Sequence, residues 1–177
     1  MHRLAAIGLT SVALLSLAVA VPAGDALAQQ TQHVSFKASA ENSKYTQQQF
    51  LDVGDVPGHQ VRSFEIHRTF PGNAPVVAGM KMKEQWTRGT SDYVDGNGAF
   101  ITYGVTVLEN GDKFFTRGNG VARSAGPGKY STTTISYITG GTGKLAGIQG
   151  TMRTTGSAEP KANINETEYE IEYSLGK

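Results

Sequence analysis

Residues 140–150 read GGTGKLAGIQG, and this stretch decides between two very different kinds of protein. It holds five glycines, with Lys144 among them, directly after an apolar run rich in threonine. A glycine-rich loop with a lysine can cradle phosphate groups. It can also supply the backbone conformations that a tight corner between two strands requires. The residues at neighbouring positions distinguish the two interpretations.

A nucleotide-binding loop is excluded by the residues at defined positions. A Walker loop requires glycine at position 138 and serine or threonine at position 145, where the chain has Ile138 and Leu145. The dinucleotide fingerprint counted from Gly141 requires glycine at position 146, which is Ala146. Both motifs open a helix, whereas the residues after Gly147 have the pattern of a strand. We therefore predict that the glycines form turns, bulges and close backbone contacts at a strand-to-strand corner; they are Gly140, Gly141, Gly143, Gly147 and Gly150.

The first residues have the pattern of a secretory signal peptide. A positively charged start precedes a nearly unbroken apolar run over residues 4–21, and Ala26-Leu27-Ala28 fits the small-x-small cleavage rule. We expect residues 1–28 to be removed and residues 29–177 to form one exported domain, periplasmic or secreted. No later apolar run is long enough to cross a bilayer, so we predict no membrane span in the mature chain.

Composition removes several classes of function. The net charge is +1 and the chain has no lysine–arginine cluster, which argues against nucleic acid as a partner. Cysteine is absent from the sequence, so thiol nucleophiles and zinc–thiolate sites are excluded. Glu65 and His67 share one strand face, but no spacing specifies a third ligand. We predict neither a metal site nor a cofactor.

Alternation with a period of two runs through the mature chain and predicts antiparallel strands separated by glycine and asparagine turns. The last strand is the clearest case, because Tyr169, Ile171 and Tyr173 alternate with glutamates. About eight such strands without crossover helices predict an all-β domain. Closing the sheet removes its edges, so we expect a single closed antiparallel eight-stranded β-barrel, with a β-sandwich as the alternative.

The glycine stretch also resembles a known signature. A GG[TS]G-x-[FL] turn before a glycine-bearing strand is typical of the allene oxide cyclase and dirigent superfamily of small eight-stranded barrels, and residues 140–150 are similar to it. The resemblance extends loosely over residues 52–173 through a Gly-Asp-x-Pro-Gly-His segment, an Asn-Gly turn and the alternating last strand. It implies a trimeric barrel with an apolar lumen that is open at one end. Members cyclise an unsaturated fatty-acid epoxide or direct phenoxy-radical coupling, without metal or cofactor.

Three polar residues are candidates for chemistry in such a lumen. Glu84 has the same parity as Met82 and Trp86, so a regular strand would turn it toward the apolar face, where a carboxylate needs a partner. A twisted strand end would instead leave it at the solvent rim. Arg68 is a possible cation for Glu84 or an ordinary rim arginine, and Tyr103 is a possible hydroxyl donor or a packed core residue.

Two functions from different classes follow from this set. The first is a barrel that binds a small apolar or amphipathic molecule in its lumen; the second is a cofactor-free isomerase or cyclase acting on an unsaturated lipid-like or polyketide-like substrate. A barrel filled by its own side chains is a third alternative. The predicted ligand-binding side chains are the large residues of the inward faces: Phe64, Ile66, Met80, Met82, Trp86, Ile101, Tyr169 and Tyr173.

Overall fold

The computed structural model describes residues 30–176, so the signal peptide predicted for residues 1–28 lies outside the described residues. The described chain contains ten strands and three single-turn 3₁₀ segments, with no α-helix in that range. The 3₁₀ turns lie at Ala40–Asn42, Gly143–Leu145 and Pro160–Ala162. The strands are β1 (Gln32–Ala38), β2 (Ser43–Asp52), β3 (His59–Thr69), β4 (Val76–Val77), β5 (Met80–Val94), β6 (Asn97–Leu108), β7 (Lys113–Gly126), β8 (Lys129–Gly141), β9 (Gln149–Glu159) and β10 (Ile164–Ser174).

The strands form one antiparallel sheet in the order β1-β10-β9-β8-β7-β6-β5-β3-β2, with β4 paired to β5. The all-β antiparallel prediction is confirmed. The backbone ladder is not closed, however, because β1 and β2 stand at its two ends. There are also ten strands rather than eight. Residues 43–52 form a full strand, and a turn at Ala78 and Gly79, both with positive φ, separates β4 from β5.

The sheet curls until strands from opposite ends of its order touch through side chains. The Tyr45 backbone N–H on β2 donates to Asn163 Oδ1 at 2.7 Å, and Gln48 Nε2 donates to the Pro160 carbonyl at 3.0 Å. Arg68 Nη2 on β3 donates to Asn165 Oδ1 on β10 at 2.7 Å. One face of the sheet therefore surrounds a common interior.

The apolar part of that interior lies at one end, and the glycine stretch closes it. Leu145 and Ile148 are 0% and 2% exposed. They pack in the main apolar cluster with Val77, Met82, Leu108, Phe114 and Ile171. The glycine-rich segment at residues 140–150 thus places two large apolar side chains in the core, so its role is structural.

Gly143 shows why the corner needs glycine. Its φ is +55°, and a Cβ at this position would collide with the carboxylate of Asp112. That carboxylate accepts the Lys144 backbone N–H at 2.9 Å and the Asn110 side-chain amide at 2.7 Å. These bonds, led by the Lys144 N–H, hold the pKa of Asp112 below its usual value. The side chain of Lys144 itself is exposed.

A β-bulge corrects the expected facing of β5. The ladder between β5 and β6 shifts register between Met82 and Glu84, which leaves Lys83 as the extra residue. Met80 and Met82 point inward as expected, but beyond the bulge the parity reverses. Trp86 consequently lies on the outer face, where its ring stacks on His67 with 4.0 Å between centroids.

The facing expected for β6 is corrected as well. Its buried positions are Phe100, Gly104, Thr106 and Leu108, while Ile101 is 38% exposed and Tyr103 is 53% exposed. The outer positions of this strand therefore include more apolar side chains than the inner ones, where Thr102, Gly104 and Thr106 stand between Phe100 and Leu108. The outer face of the sheet carries an exposed apolar patch on β6, β7 and β8 made of Ile101, Tyr103, Val121, Ile135 and Tyr137.

Candidate functional site: a chamber with two buried arginines

The interior beyond the apolar cluster contains a cavity of about 70 Å³, called the chamber below. Its wall mixes aromatic and aliphatic side chains with hydroxyl groups, and by the 10–15 Å³ that one water needs it has room for several water-sized groups. The charged side chains on its wall are two arginines. Its main lining residues are Tyr45, Arg62, Phe64, Ile66, Arg68, Gln85, Thr87, Tyr93, Phe100, Thr102, Thr116, Thr134, Met152, Asn165 and Tyr169.

Arg68 lies deep in the chamber wall and is bound by neutral acceptors. It is 4% exposed, and its Nη1 donates to Thr87 Oγ1 at 2.9 Å while its Nη2 donates to Asn165 Oδ1 at 2.7 Å. A longer bond of 3.4 Å reaches Gln85 Oε1, which also accepts the Tyr169 hydroxyl at 2.8 Å. This network fixes the guanidinium without neutralising its charge.

Arg62 is the second buried arginine, and its environment is aromatic. It is 6% exposed, and its carbon Cζ lies 4.7 Å from the ring centroid of Phe64, 5.5 Å from that of Tyr45 and 5.7 Å from that of Phe50. Its one side-chain hydrogen bond runs from Nη1 to Gln48 Oε1 at 3.3 Å. Cation–π attraction therefore replaces part of the lost hydration, while most of its five N–H donors make no hydrogen bond within residues 30–176.

Neither arginine has an acidic partner within residues 30–176. The ion pairs formed there involve other residues, and the chamber wall contains no Asp or Glu. An arginine is ionised at every physiological pH, so burying two of them leaves an uncompensated positive potential in the chamber. This positive potential favours the binding of a negatively charged group.

Four buried polar atoms lack a hydrogen-bond partner in the described part of the chain, and they form two cross-strand pairs. They are the Nε of each arginine and the Oγ of Ser43 and Ser91. Ser91 on β5 lies directly opposite Arg62, and Ser43 on β2 lies directly opposite Arg68. Buried polar atoms without partners are rare in folded proteins, so these two pairs hold hydrogen-bonding capacity that the described residues do not use.

Two tyrosines of the wall are too buried to ionise easily. Burial raises the pKa of Tyr93 to about 12, against a smaller opposing effect of the Arg62 charge. Burial also raises the pKa of Tyr169, again opposed in part by Arg68. Both phenols therefore present neutral hydroxyl groups at physiological pH and do not act as bases.

An exposed clasp holds the loop near the Arg62 end of the chamber. His59 Nδ1 lies 2.6 Å from Asp55 Oδ1, and His59 Nε2 lies 2.8 Å from Asp92 Oδ1. Carboxylates at both nitrogens favour the doubly protonated ring, so the hydrogen bond to Asp92, followed by that to Asp55, raises the pKa of His59. The reciprocal bond lowers the pKa of Asp55.

The predicted ligand-binding residues fall into three groups. Phe64, Ile66 and Tyr169 line the chamber. Met80, Met82 and Tyr173 belong to the closed apolar cluster, where the Tyr173 hydroxyl accepts the Ala78 backbone N–H at 2.8 Å. Trp86 and Ile101 lie on the outer face, for the reasons of bulge and parity given above.

The predicted polar trio is not assembled by the fold. Arg68 lines the chamber, but Glu84 lies on the outer face with its Oε2 2.8 Å from His67 Nε2. Tyr103 is also outside, with Arg117 Cζ 5.8 Å from its ring centroid. The possible ion pair between Glu84 and Arg68 is absent from the described residues, because the bulge at Lys83 turns Glu84 to the outer face, away from the lumen, as the alternative interpretation had it.

Arg62 is the site residue that the sequence reading missed. The signal was available, since Arg62 has the same parity as Phe64, Ile66 and Arg68 on a regular strand. Asn165 and the inward threonines carried no such signal, because hydroxyl and amide residues are equally common on the exposed faces of strands.

Comparison with known proteins identifies no relative for this chain: no family model matches it, and no curated protein matches it. Within residues 30–176, no helix has the length and apolar character needed to cross a bilayer. The same residues contain no cluster of three or more histidine, aspartate or glutamate side chains arranged to hold a metal ion.

Proposed function

We propose that this protein is an exported binding protein that holds a small amphipathic molecule in its chamber without changing it chemically. The observation that carries the proposal is an interior cavity with both hydroxyl and apolar walls, next to the main apolar cluster, with which it shares Met152 and Tyr169. Leu145 and Ile148 are buried within that cluster and do not line the chamber. A few polar groups converging on a partly apolar wall are a feature of small-molecule binding sites, and a volume of about 70 Å³ limits the ligand to a small one.

We also propose that the curled sheet acts as a barrel of the allene oxide cyclase and dirigent type. Support comes from the side-chain contacts that join β2 and β3 to β10 and to the turn before it, across the point where the backbone ladder stops. The glycine corner at residues 140–150 supports the same assignment, because it forms a strand-to-strand turn as the resemblance implies.

A cyclase remains the alternative proposal, but fewer observations favour it. General acid–base catalysis needs a proton donor or acceptor within hydrogen-bonding reach of the substrate and with a suitable pKa. Of the predicted trio only Arg68 faces the chamber, and the two tyrosines of the wall that have raised pKa values are poor bases. Binding is therefore the function that the described residues support best.

Methionine methyl NMR tests binding directly. Met80, Met82 and Met152 all belong to the main apolar cluster, but of the three only Met152 also lines the chamber, so Met80 and Met82 serve as internal controls. Titration with benzyl alcohol should shift the Met152 methyl signal and leave the other two unchanged. Thr134→Phe, which fills the chamber, should abolish the shift, and Thr133→Phe on the exposed face of the same strand should not. An unresponsive Met152 signal in the wild-type protein would refute the proposal.

The outer apolar patch supports the predicted homo-oligomer. The five exposed apolar side chains lie on three neighbouring strands, where Arg117 and Asn119 of β7 stand between those of β6 and those of β8. An interface over this face would remove their apolar surface from water. The trimer implied by the resemblance would cover Tyr137, which is 62% exposed, and Ile135, which is 49% exposed. Light scattering should then report three copies for the wild-type protein and a monomer for Ile135→Lys. A monomeric wild-type protein would remove this part of the proposal.

A further inference from the structure

The end of the chamber at Arg62 offers more unused hydrogen-bonding capacity than any other part of its wall. Arg62 Nε is buried and has no partner in the described residues. The buried Ser91 Oγ lies directly opposite on the paired strand, next to the Tyr93 hydroxyl, and Ser91 lines the smaller pocket that adjoins the chamber at Arg62. Directly opposed residues in an antiparallel pair have Cβ atoms about 5 Å apart, so one bound group can contact both side chains. This pair is called the Arg62–Ser91 site below.

The charge at this site selects the sign of the ligand. Arg62 is surrounded by rings and by the neutral Gln48, and no acidic side chain among the described residues pairs with it. A desolvated guanidinium whose N–H groups lack acceptors binds an oxyanion through charge-assisted hydrogen bonds. Water could satisfy the donors, but it would leave the charge uncompensated.

Position selects the shape of the ligand. Arg62 and Tyr93 line both the chamber and a smaller adjoining pocket bounded by Phe50, Gly58 and Gly96. Along β3, the inward side chains after Arg62 are Phe64 and Ile66, and Arg68 comes about 20 Å further on at the usual rise per residue. A molecule with its oxyanion at Arg62 therefore has an apolar surface immediately next to that head group.

The Arg68 end is less suited to this role. Arg68 already donates to Thr87 and Asn165 at 2.9 Å and 2.7 Å, whereas Arg62 makes one longer side-chain hydrogen bond of 3.3 Å within the described residues. The charge of Arg68 adds to the positive potential of the chamber, but fewer of its N–H groups are available to a ligand.

We infer that the Arg62–Ser91 site binds the carboxylate of a small amphipathic acid whose apolar part extends into the chamber along Phe64 and Ile66. The inference rests on the proposed binding function and adds the chemical class of the ligand to it. A carboxylate is planar and matches the fork of the guanidinium, and Ser91 Oγ supplies one further donor.

Three probes test this inference: two of them have matched size and two have matched charge. Benzoate and its neutral counterpart benzamide have nearly the same shape, and acetate carries the charge without the apolar body. Affinities are measured by calorimetry, and the Arg62 Nε–H NMR signal reports contact. Benzoate should shift that signal and bind at least tenfold more tightly than either benzamide or acetate.

The variants separate charge from fold. Arg62→Gln should reduce benzoate affinity at least tenfold and leave benzamide affinity unchanged. Arg88→Gln, on the exposed outer face, should change neither. Ser91→Ala removes only the hydroxyl group and keeps the test valid if Arg62→Gln does not fold; it should weaken benzoate binding several-fold.

Each other result has a defined meaning. Equal binding of benzoate and benzamide would overturn the inference while leaving the proposed binding function intact. Equal binding of acetate and benzoate would overturn it by showing that the apolar body plays no part. Failure of both aromatic probes to bind, together with an unresponsive Met152 methyl signal, would overturn the inference and the proposed function together.

Discussion

Replacing Leu145 by alanine tests whether the glycine corner is part of the cooperative core. The side chain is fully buried, so truncation loses its transfer free energy and leaves a cavity among Phe114, Leu108 and Ile171. Such substitutions cost about 2.7–5.0 kcal/mol, and a corner formed by a short 3₁₀ turn can relax partly into the space. We therefore expect a loss of about 3 kcal/mol in the free energy of unfolding. For a domain of roughly 150 residues that lowers Tm by about 6–12 °C.

Urea unfolding followed by circular dichroism measures this loss, with the denaturant slope expected to stay unchanged. Lys144→Ala, one residue earlier with an exposed side chain, is the matched control and should stay within about 0.5 kcal/mol of the wild type. A cost below about 1 kcal/mol for Leu145→Ala would mean that the corner opens independently of the sheet, and the role given to it would be refuted.

Three further predictions concern individual residues. Gly143→Ala should destabilise by about 1–3 kcal/mol, from positive φ and collision with the neighbouring aspartate; Gly128→Ala, at φ +70° in open space, should cost less, and equal costs in urea titrations would exclude the collision. His59 should titrate above its ordinary pKa of 6.5 by NMR, so its stabilising effect is complete below pH 6.5 and is lost as the pH rises through the raised pKa; Asp92→Asn should bring that pKa down, and an unmoved value would contradict the clasp. Ultraviolet titration should show Tyr93 ionising with a midpoint near pH 12, so Tyr93→Phe should not change the phenolate step near the ordinary pKa of about 10; a smaller step in the variant would show that water reaches the Tyr93 hydroxyl.

The last strand shows what alternation can predict. Its glutamates and its aromatic residues differ so much in the cost of burial that Tyr169, Ile171 and Tyr173 face inward as expected. The glycine stretch was equally informative, because the residues at positions 138 and 145 excluded a phosphate site and the observed turn is architectural.

The same reasoning failed on β5 and β6 for two physical reasons. A bulge adds one residue to a strand without a distinctive sequence, so nothing around Lys83 announced the reversal that placed Glu84 and Trp86 outside. On β6 the assumption that the more apolar face is the inner one was wrong, because the inner face lines a polar chamber. Arg62 was overlooked for a related reason: charged residues are rarely buried without a partner.

Lys83 has a consequence beyond the site residues that were misplaced. A bulge of one residue reverses the relation between residue number and sheet face: even-numbered residues of β5 face inward before Lys83, and odd-numbered residues face inward after it. Before the bulge, β5 contributes Met80 and Met82 to the apolar cluster. After the bulge, the same strand contributes Gln85 and Thr87 to the wall of the chamber. If Lys83 took part in regular alternation instead of forming the bulge, the carboxylate of Glu84 and the indole of Trp86 would face the interior beside Arg68; deleting Lys83 would leave their facing unchanged. The bulge at this one surface residue therefore keeps the two parts of the interior chemically distinct.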